Sequence, residues 1–203
     1  MNLPCAIILA AGLGRRMGCV PKAALQVGGK SVLEREVAAL RGAGIDRISA
    51  VIGPYREQLL PLLARCQVQR ILHCAAEPSL IDSQRLALQS HRTQFPEHDL
   101  LLLLGDLPLL SAFDVTALLM RWRQREDHVQ ALVPVLDHVR GHPVLLSADA
   151  VAQIHATPPH LGVRQWLRDH PEAEQQIPTT AAGYVCDIDT PADLAALRAS
   201  HGG

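Results

Sequence analysis

The densest group of residues able to do chemistry is LAAGLGRRMGCVPK, residues 9–22. It follows the apolar run Ala6-Ile7-Ile8-Leu9 and holds three glycines and three cations. Gly12 and Gly14 let the backbone approach a ligand and expose successive N–H groups, which can form an anion-binding nest. Arg15, Arg16 and Lys22 can add charge-assisted hydrogen bonds to phosphate oxygens. The pattern is not a Walker A loop, since no Gly-Lys-Ser or Gly-Lys-Thr closes it. It is not G-x-G-x-x-G either, because Met17 stands where the third glycine belongs. By its residues alone the loop reads equally well as a phosphate cradle and as a solvated basic turn.

Carboxylates form the second group. Asp106 stands just past an apolar run, residues 99–104. A carboxylate there can hold Mg²⁺, which takes few protein ligands and keeps phosphates and waters as the others. It can equally cap a turn before Pro108. Asp187 and Asp189 precede Pro191, and an aspartate there is a natural N-cap. Ten histidines are present, but no His/Cys set has the spacing of a zinc site.

These residues need elements to bring them together. Strands are expected over 4–10, 47–52, 68–74, 99–104 and 130–134. Helices are expected between them over 31–41, 55–66, 82–92 and 113–125. In the first helix Val32, Leu33, Val37 and Leu40 share a face, and Ser31 with Glu34 makes a capping-box pattern. This alternation predicts α/β architecture with a mainly parallel sheet flanked by helices. After Pro134 the rhythm changes: strands over 142–146, 174–177 and 184–187, and helices over 148–155, 162–170 and 191–199. In open α/β sheets ligands sit beyond the C-terminal strand ends. The glycine loop and Asp106 both fall there. No linker, repeat or low-complexity tract divides residues 1–203, so one domain is expected.

Composition narrows the function. Hydrophobic residues make up 48% and charged residues 19%, an ordinary globular balance. The net charge of -1 and the 3% aromatic content argue against a nucleic-acid partner, an anionic membrane or base-stacking platforms. Trp122 and Trp166 fall in helical segments and read as packing anchors. The five cysteines lack CxxC spacing, which fits a reducing cytoplasm better than a disulfide framework. The first apolar run has no basic segment before it and reads as a strand, not a signal peptide. No apolar stretch is long enough to span a bilayer.

The run Leu9-Ala10-Ala11-Gly12-x-x-x-Arg16-Met17-Gly18-x-x-Pro21-Lys22 resembles the signature of the nucleotidyltransferases that include molybdenum cofactor cytidylyltransferases and guanylyltransferases. Four further segments are similar to that family's motifs: GGKSVLER (28–35), LLLLGDLPLL (101–110), RGHPVLLS (140–147) and DIDTPADL (187–194). Their order and spacing span nearly the whole chain.

The resemblance implies a single-domain, Rossmann-like nucleotidyltransferase fold and an Mg²⁺-dependent enzyme. A phosphate monoester would attack the α-phosphorus of a nucleoside triphosphate and release pyrophosphate. It assigns Lys22, Arg16 and Asp106 to catalysis. It assigns Leu9, Ala10, Ala11, Gly12, Gly14, Arg16, Lys22 and Ser83 to the nucleotide. Metal ligation falls to Asp106 with Asp189, or with Asp187 as the alternative. His142 and Pro143 fall near the acceptor. Leu-Ala-Ala-Gly is closer to the cytidylyl branch than the guanylyl Leu-Ala-Gly-Gly, and the Ala11 methyl is expected to crowd a purine. The implied substrates are CTP and the molybdenum–molybdopterin cofactor, with transient contact to a molybdoenzyme or its chaperone. GTP, a sugar or alditol phosphate acceptor, and a non-catalytic delivery module are the rival readings. Leu107 replaces a frequent glutamine. PSLIDSQR (78–85) stands where a serine-rich run is usual, with only Ser83 and Arg85 in line.

Overall fold

The computed structural model describes residues 3–201. In chain order the elements are β1 (Cys5–Ala10), β2 (Gln26–Val27), β3 (Lys30–Ser31), α1 (Val32–Gly42), β4 (Ile48–Ile52), α2 (Arg56–Arg65), β5 (Gln69–Leu72) and α3 (Leu80–Gln94). They continue as β6 (Leu100–Leu104), α4 (Ala112–Arg123), β7 (Ala131–Leu136), β8 (Val139–Arg140), β9 (Val144–Leu146), α5 (Ala148–Ala156), α6 (Val163–Asp169), β10 (Glu174–Pro178) and α7 (Pro191–His201).

The main sheet has the order β10-β7-β9-β6-β1-β4-β5, with β8 paired to β7. β1 runs parallel to β4 on one side and to β6 on the other. β4 and β5, and β7 and β10, are also parallel pairs. β9 is antiparallel to both its neighbours. The chain thus winds outward from β1 through β4 to β5, then crosses back to β6. That reversal puts a topological switch point between β1 and β6, where crevices form at the C-terminal strand ends. No described helix is long and apolar enough to cross a membrane.

The sheet is covered on both faces, which explains why its central strands read as unbroken apolar runs. Ala6, Ile8 and Ala10 of β1, with Leu101 and Leu103 of β6, pack on α1, α2 and α4. Cys5, Ile7 and Leu9, with Leu100 and Leu102, pack on α3, α5 and α6. Leu33 and Leu40 of α1 are fully buried, a contribution of about 1.5–3 kcal/mol for each such side chain. Trp122 and Trp166 are both buried in these layers, as expected of packing anchors.

A smaller third cluster serves the site. Met17 from the glycine loop packs with Val27, Val32, Ile188, Leu194 and Leu197. The side chain that breaks the glycine pattern therefore fastens the loop to α7 and to the β2–β3 hairpin. That hairpin turns through Gly28 and Gly29, with φ of 57° and 75°. Two positive φ values are what a two-residue hairpin turn asks of its central residues.

Three expectations change. A strand over 184–187 does not form: Ala182–Tyr184 is a 3₁₀ turn. The N–H groups of Val185 and Cys186 bond to Ala182 O, and that of Asp187 bonds to Val185 O. Local turns use these groups, so none is left for a ladder. The strand expected over 142–146 shortens to Val144–Leu146 and runs antiparallel. α3 starts at Leu80, before the expected Asp82, because Ser79 and Asp82 close a capping box there.

Candidate active site

Three segments meet at the switch point: the glycine loop after β1, the turn after β6, and residues 187–189. Gly14 has φ 57°, and a Cβ there would lie 2.1 Å from Val20 O, so only glycine fits. Gly14 O accepts from Met17 N–H at 2.8 Å and Cys19 N–H at 3.0 Å, which closes the loop. Among the described residues the N–H groups of Gly12, Leu13 and Gly14 donate to no protein acceptor. The loop is thus held by its carbonyl and its Met17 anchor, while a run of donors stays open. The crevice it borders has a volume of about 350 Å³.

Lys22 opens a short 3₁₀ turn after Pro21. Its Nζ donates to Asp106 Oδ2 at 3.0 Å and to Asp189 Oδ1 at 2.7 Å. Arg16 pairs with Asp189 Oδ2 at 2.7 Å. Burial works against the Lys22 charge. The hydrogen bond to Asp189 and the charge and hydrogen bond of Asp106 outweigh it, so the ammonium titrates above its usual range. The Lys22 hydrogen bond, helped by the Lys22 and Arg16 charges, holds the Asp189 carboxyl below its usual range. Asp187 moves the other way, pushed up by burial and then by the charges of Asp189 and Asp106.

One oxygen from each of Asp106, Asp187 and Asp189 lies within 4.8 Å of the others. Asp106 Oδ1 is buried and has no hydrogen-bond partner among the described residues. An orphaned carboxylate oxygen beside two more carboxylates is a donor set that fits a hard divalent cation. The backbone fixes the cluster, since Asp106 O accepts the Ile188 N–H at 3.2 Å.

Not every expected residue reaches this crevice. Leu9, Ala10, Gly12, Gly14, Arg16 and Lys22 line it, with Asp106, Asp187 and Asp189. Arg15 lines it too, but its guanidinium pairs with Glu77 at 2.7 Å. Ala11 is 2% exposed, and its methyl packs where a Cβ on Gly53 would come within 3.2 Å. The expected crowding of a purine by that methyl is therefore corrected: it points into the sheet layer, not the crevice. Ser83 is also buried, and its Oγ donates to Ser79 O at 3.1 Å. It lies one turn into α3, outside the crevice wall. Arg85 instead holds the end of α5, donating to Ile154 O and His155 O at 2.7 Å each.

A second cavity of about 540 Å³ adjoins the first at Leu80, which lines both. Val133, Val144, Val163 and Leu167 make its apolar wall, and His138, Arg140, His142 and Arg164 its polar one. Burial pushes the His142 imidazole below its usual range, against the opposing Leu102 carbonyl and Asp187 charge. Pro143 is buried and does not line the cavity. Sequence reasoning missed Leu80, His138, Arg140 and Arg164. The Ser79–Asp82 pair signals the start of α3 and so could have exposed Leu80. No local pattern marks Arg164, because its place in the cavity wall comes only from α6 folding against β7 and β9.

This fold and site define a doubly wound α/β protein whose switch-point crevice brings together open backbone N–H donors, Arg16, Lys22 and three carboxylates. Residues 6–175 match the MobA-like NTP transferase domain, and the chain belongs to that family. The bifunctional protein GlmU of Syntrophomonas wolfei is 32% identical over 142 residues, 70% of this chain and 31% of that protein. A probable molybdenum cofactor guanylyltransferase of Methanosarcina acetivorans is 32% identical over 111 residues, 53% of this chain and 48% of that protein. The matched part of the chain thus spans about a third of the GlmU protein's length. A nucleotidyl transferase from Methanothermobacter superposes with a TM-score of 0.74 at 20% identity, covering 99% of this chain and 98% of that one. The Rossmann-like nucleotidyltransferase fold expected from the motifs is therefore the fold observed.

Proposed function

We propose that the chain is an Mg²⁺-dependent nucleotidyltransferase that moves a cytidylyl group from CTP to a phosphorylated acceptor. One observation carries the reading. Lys22, Asp106 and Asp189 converge in the crevice whose loop leaves the Gly12, Leu13 and Gly14 N–H groups without an acceptor among the described residues. A phosphate oxygen of the acceptor attacks the α-phosphorus. The new P–O bond forms as the bond to the β-phosphate oxygen breaks, and pyrophosphate leaves with that electron pair. Such chemistry needs positioning and charge neutralisation more than a protein nucleophile. The open N–H groups hold the phosphate chain. Arg16 reaches the β- and γ-phosphates, and Lys22 meets the charge that develops at the α-phosphate. Asp106 and Asp189 would hold a divalent cation, which would neutralise charge at the phosphate oxygens.

The second cavity suits the acceptor. Its apolar wall takes a ring system, and Arg140 and Arg164 take anionic groups. The neutral His142 offers a hydrogen bond without a charge. The molybdenum–molybdopterin cofactor meets this description, with a polar fused ring system and a phosphate monoester. The cytidylyl assignment rests on Leu9-Ala10-Ala11-Gly12 and its resemblance to that branch. The test is pyrophosphate release by the purified chain from CTP and from GTP, each with the purified cofactor and with hexose 1-phosphates. Release with CTP and the cofactor supports the reading. Release with GTP alone, or only with a sugar phosphate, assigns the rival substrate. No release with any pair, together with tight nucleotide binding, assigns a delivery role.

A further inference from the structure

Glu36 is a carboxylic acid set in the core stripe of α1, wholly buried beside Leu33, Val37 and Leu40. Its Oε1 accepts the Leu107 N–H at 2.9 Å, between groups that are both buried. Its Oε2 has no partner among the described residues. A carboxylate so placed would be strongly disfavoured. Burial pushes the carboxyl well above its usual range; the Leu107 hydrogen bond opposes this and the Asp106 charge adds to it. Among the described residues the one hydrogen bond of this carboxyl is thus the one that its Oε1 accepts from the Leu107 N–H.

The identity of that N–H matters, because Leu107 follows Asp106. The neighbouring Arg35 donates its Nε to Pro108 O at 2.7 Å. Adjacent residues of α1 thus grip successive positions just after the crevice carboxylate. On its other sides the turn is held by Gly105 N–H to Leu9 O at 3.0 Å and by Ile188 N–H to Asp106 O at 3.2 Å. Removing the Glu36 acceptor would leave the Arg35–Pro108 bond as the hold from α1 and would strand the buried Leu107 N–H.

We infer that Glu36 is a positioning residue: through the Leu107 N–H it sets where the Asp106 carboxylate stands in the crevice. The inference rests on the metal reading of Asp106. Carboxyl partners that orient a metal-binding group are worth about 10–100-fold in metal affinity. A merely structural role would lower the melting temperature and leave metal affinity untouched.

The test is Mn²⁺ binding to the full chain without nucleotide, read from the electron paramagnetic resonance signal of free Mn²⁺. Glu36→Gln keeps a carbonyl acceptor for the Leu107 N–H and is expected to bind as the wild type does. Glu36→Leu removes the acceptor and is expected to bind about tenfold more weakly or worse. A cooperatively melting E36L protein with wild-type affinity overturns the proposal, and so does equal weakening in E36Q and E36L. If E36L does not fold, amide exchange decides. Slow exchange at Leu107 in both wild type and E36Q supports the clamp, and open-loop exchange in the wild type overturns it. Wild-type protein that takes no Mn²⁺, or that loses nothing in Asp106→Asn, removes the metal reading itself. Wild-type binding that survives E36L removes only the role of Glu36.

Discussion

Lys22 Nζ stands 3.0 Å from Asp106 Oδ2, across 84 positions of sequence. The ammonium is the counter-ion of the same carboxylate that the proposed function makes a metal ligand. It reaches Asp189 as well, so one cation joins the glycine loop to both acidic segments.

That geometry gives Lys22→Ala two separable outcomes. Turnover should fall by about a hundredfold to a thousandfold, as for loss of one preorganised donor to developing charge. Mn²⁺ affinity should not fall, because the substitution leaves Asp106 and Asp189 without their cation. Steady-state pyrophosphate release and Mn²⁺ titration read the two effects. Near-normal turnover in a folded variant removes Lys22 from the mechanism.

The acidic segments can be ranked. Asp106→Ala should abolish Mg²⁺-dependent turnover, since few protein carboxylates hold this ion. Asp189→Ala should be far more damaging than Asp187→Ala, because Asp189 is the acid that Lys22 and Arg16 hold ionised. Activity against Mg²⁺ concentration for the two variants checks the order. An inactive D187A beside an active D189A reverses the assignment.

The acceptor cavity predicts a split between two Michaelis constants. Arg164→Ala and His142→Ala should raise the KM for the acceptor and leave that for the nucleotide unchanged, since both side chains line the second cavity and not the first. A raised nucleotide KM with an unchanged acceptor KM would place the acceptor elsewhere.

The base is tested by competition. With one acceptor and Mg²⁺, CTP should show the higher kcat/KM, because a pocket paired to one base edge leaves polar groups unpaired with another. The Ala11 methyl lies against the Gly53 layer. Ala11→Gly should therefore leave the CTP-to-GTP ratio unchanged. A preference for GTP in the unmodified chain overturns the cytidylyl assignment and leaves the family untouched.

Stability at low pH should track the cap of α1. The Ser31 hydroxyl and N–H hold the Glu34 carboxyl below its usual range, with Arg65 adding to them. A depressed carboxyl stabilises the fold above its unfolded value near 4.5, and that contribution is lost as pH falls through the folded value. Ser31→Ala should cost about 1 kcal/mol at neutral pH and lower the melting temperature by about 2–4 °C. Its melting temperature should also fall less steeply between neutral pH and pH 3 than that of the wild type. Equal slopes would show that the box does not carry this part of the acid sensitivity.

Much of the site was legible before folding. β1 and β6 are buried on both faces, so they had to appear as apolar runs. The loop after β1 had to carry Gly14, because no side chain fits between it and Val20. Ser31 and Glu34 announced the start of α1, since a capping box is a contact across one helical turn. Such features depend on neighbours in the chain, and a sequence displays its neighbours.

Relations between distant segments were not legible. Nothing local to Glu36 says that it meets the Leu107 N–H. Nothing local to Ser83 or Ala11 says that both turn into the interior while their motif neighbours face the crevice. Nothing local to Arg164 places it in a cavity with Arg140. The sequence by itself determined the alternating fold, the glycine loop and the acids at the sheet edge, because backbone sterics, capping and burial act over a few residues. Only the tertiary structure decided which side chains converge, because the crossing from β5 back to β6 selects the segments that share the crevice. Packing then decides which of their side chains point into it.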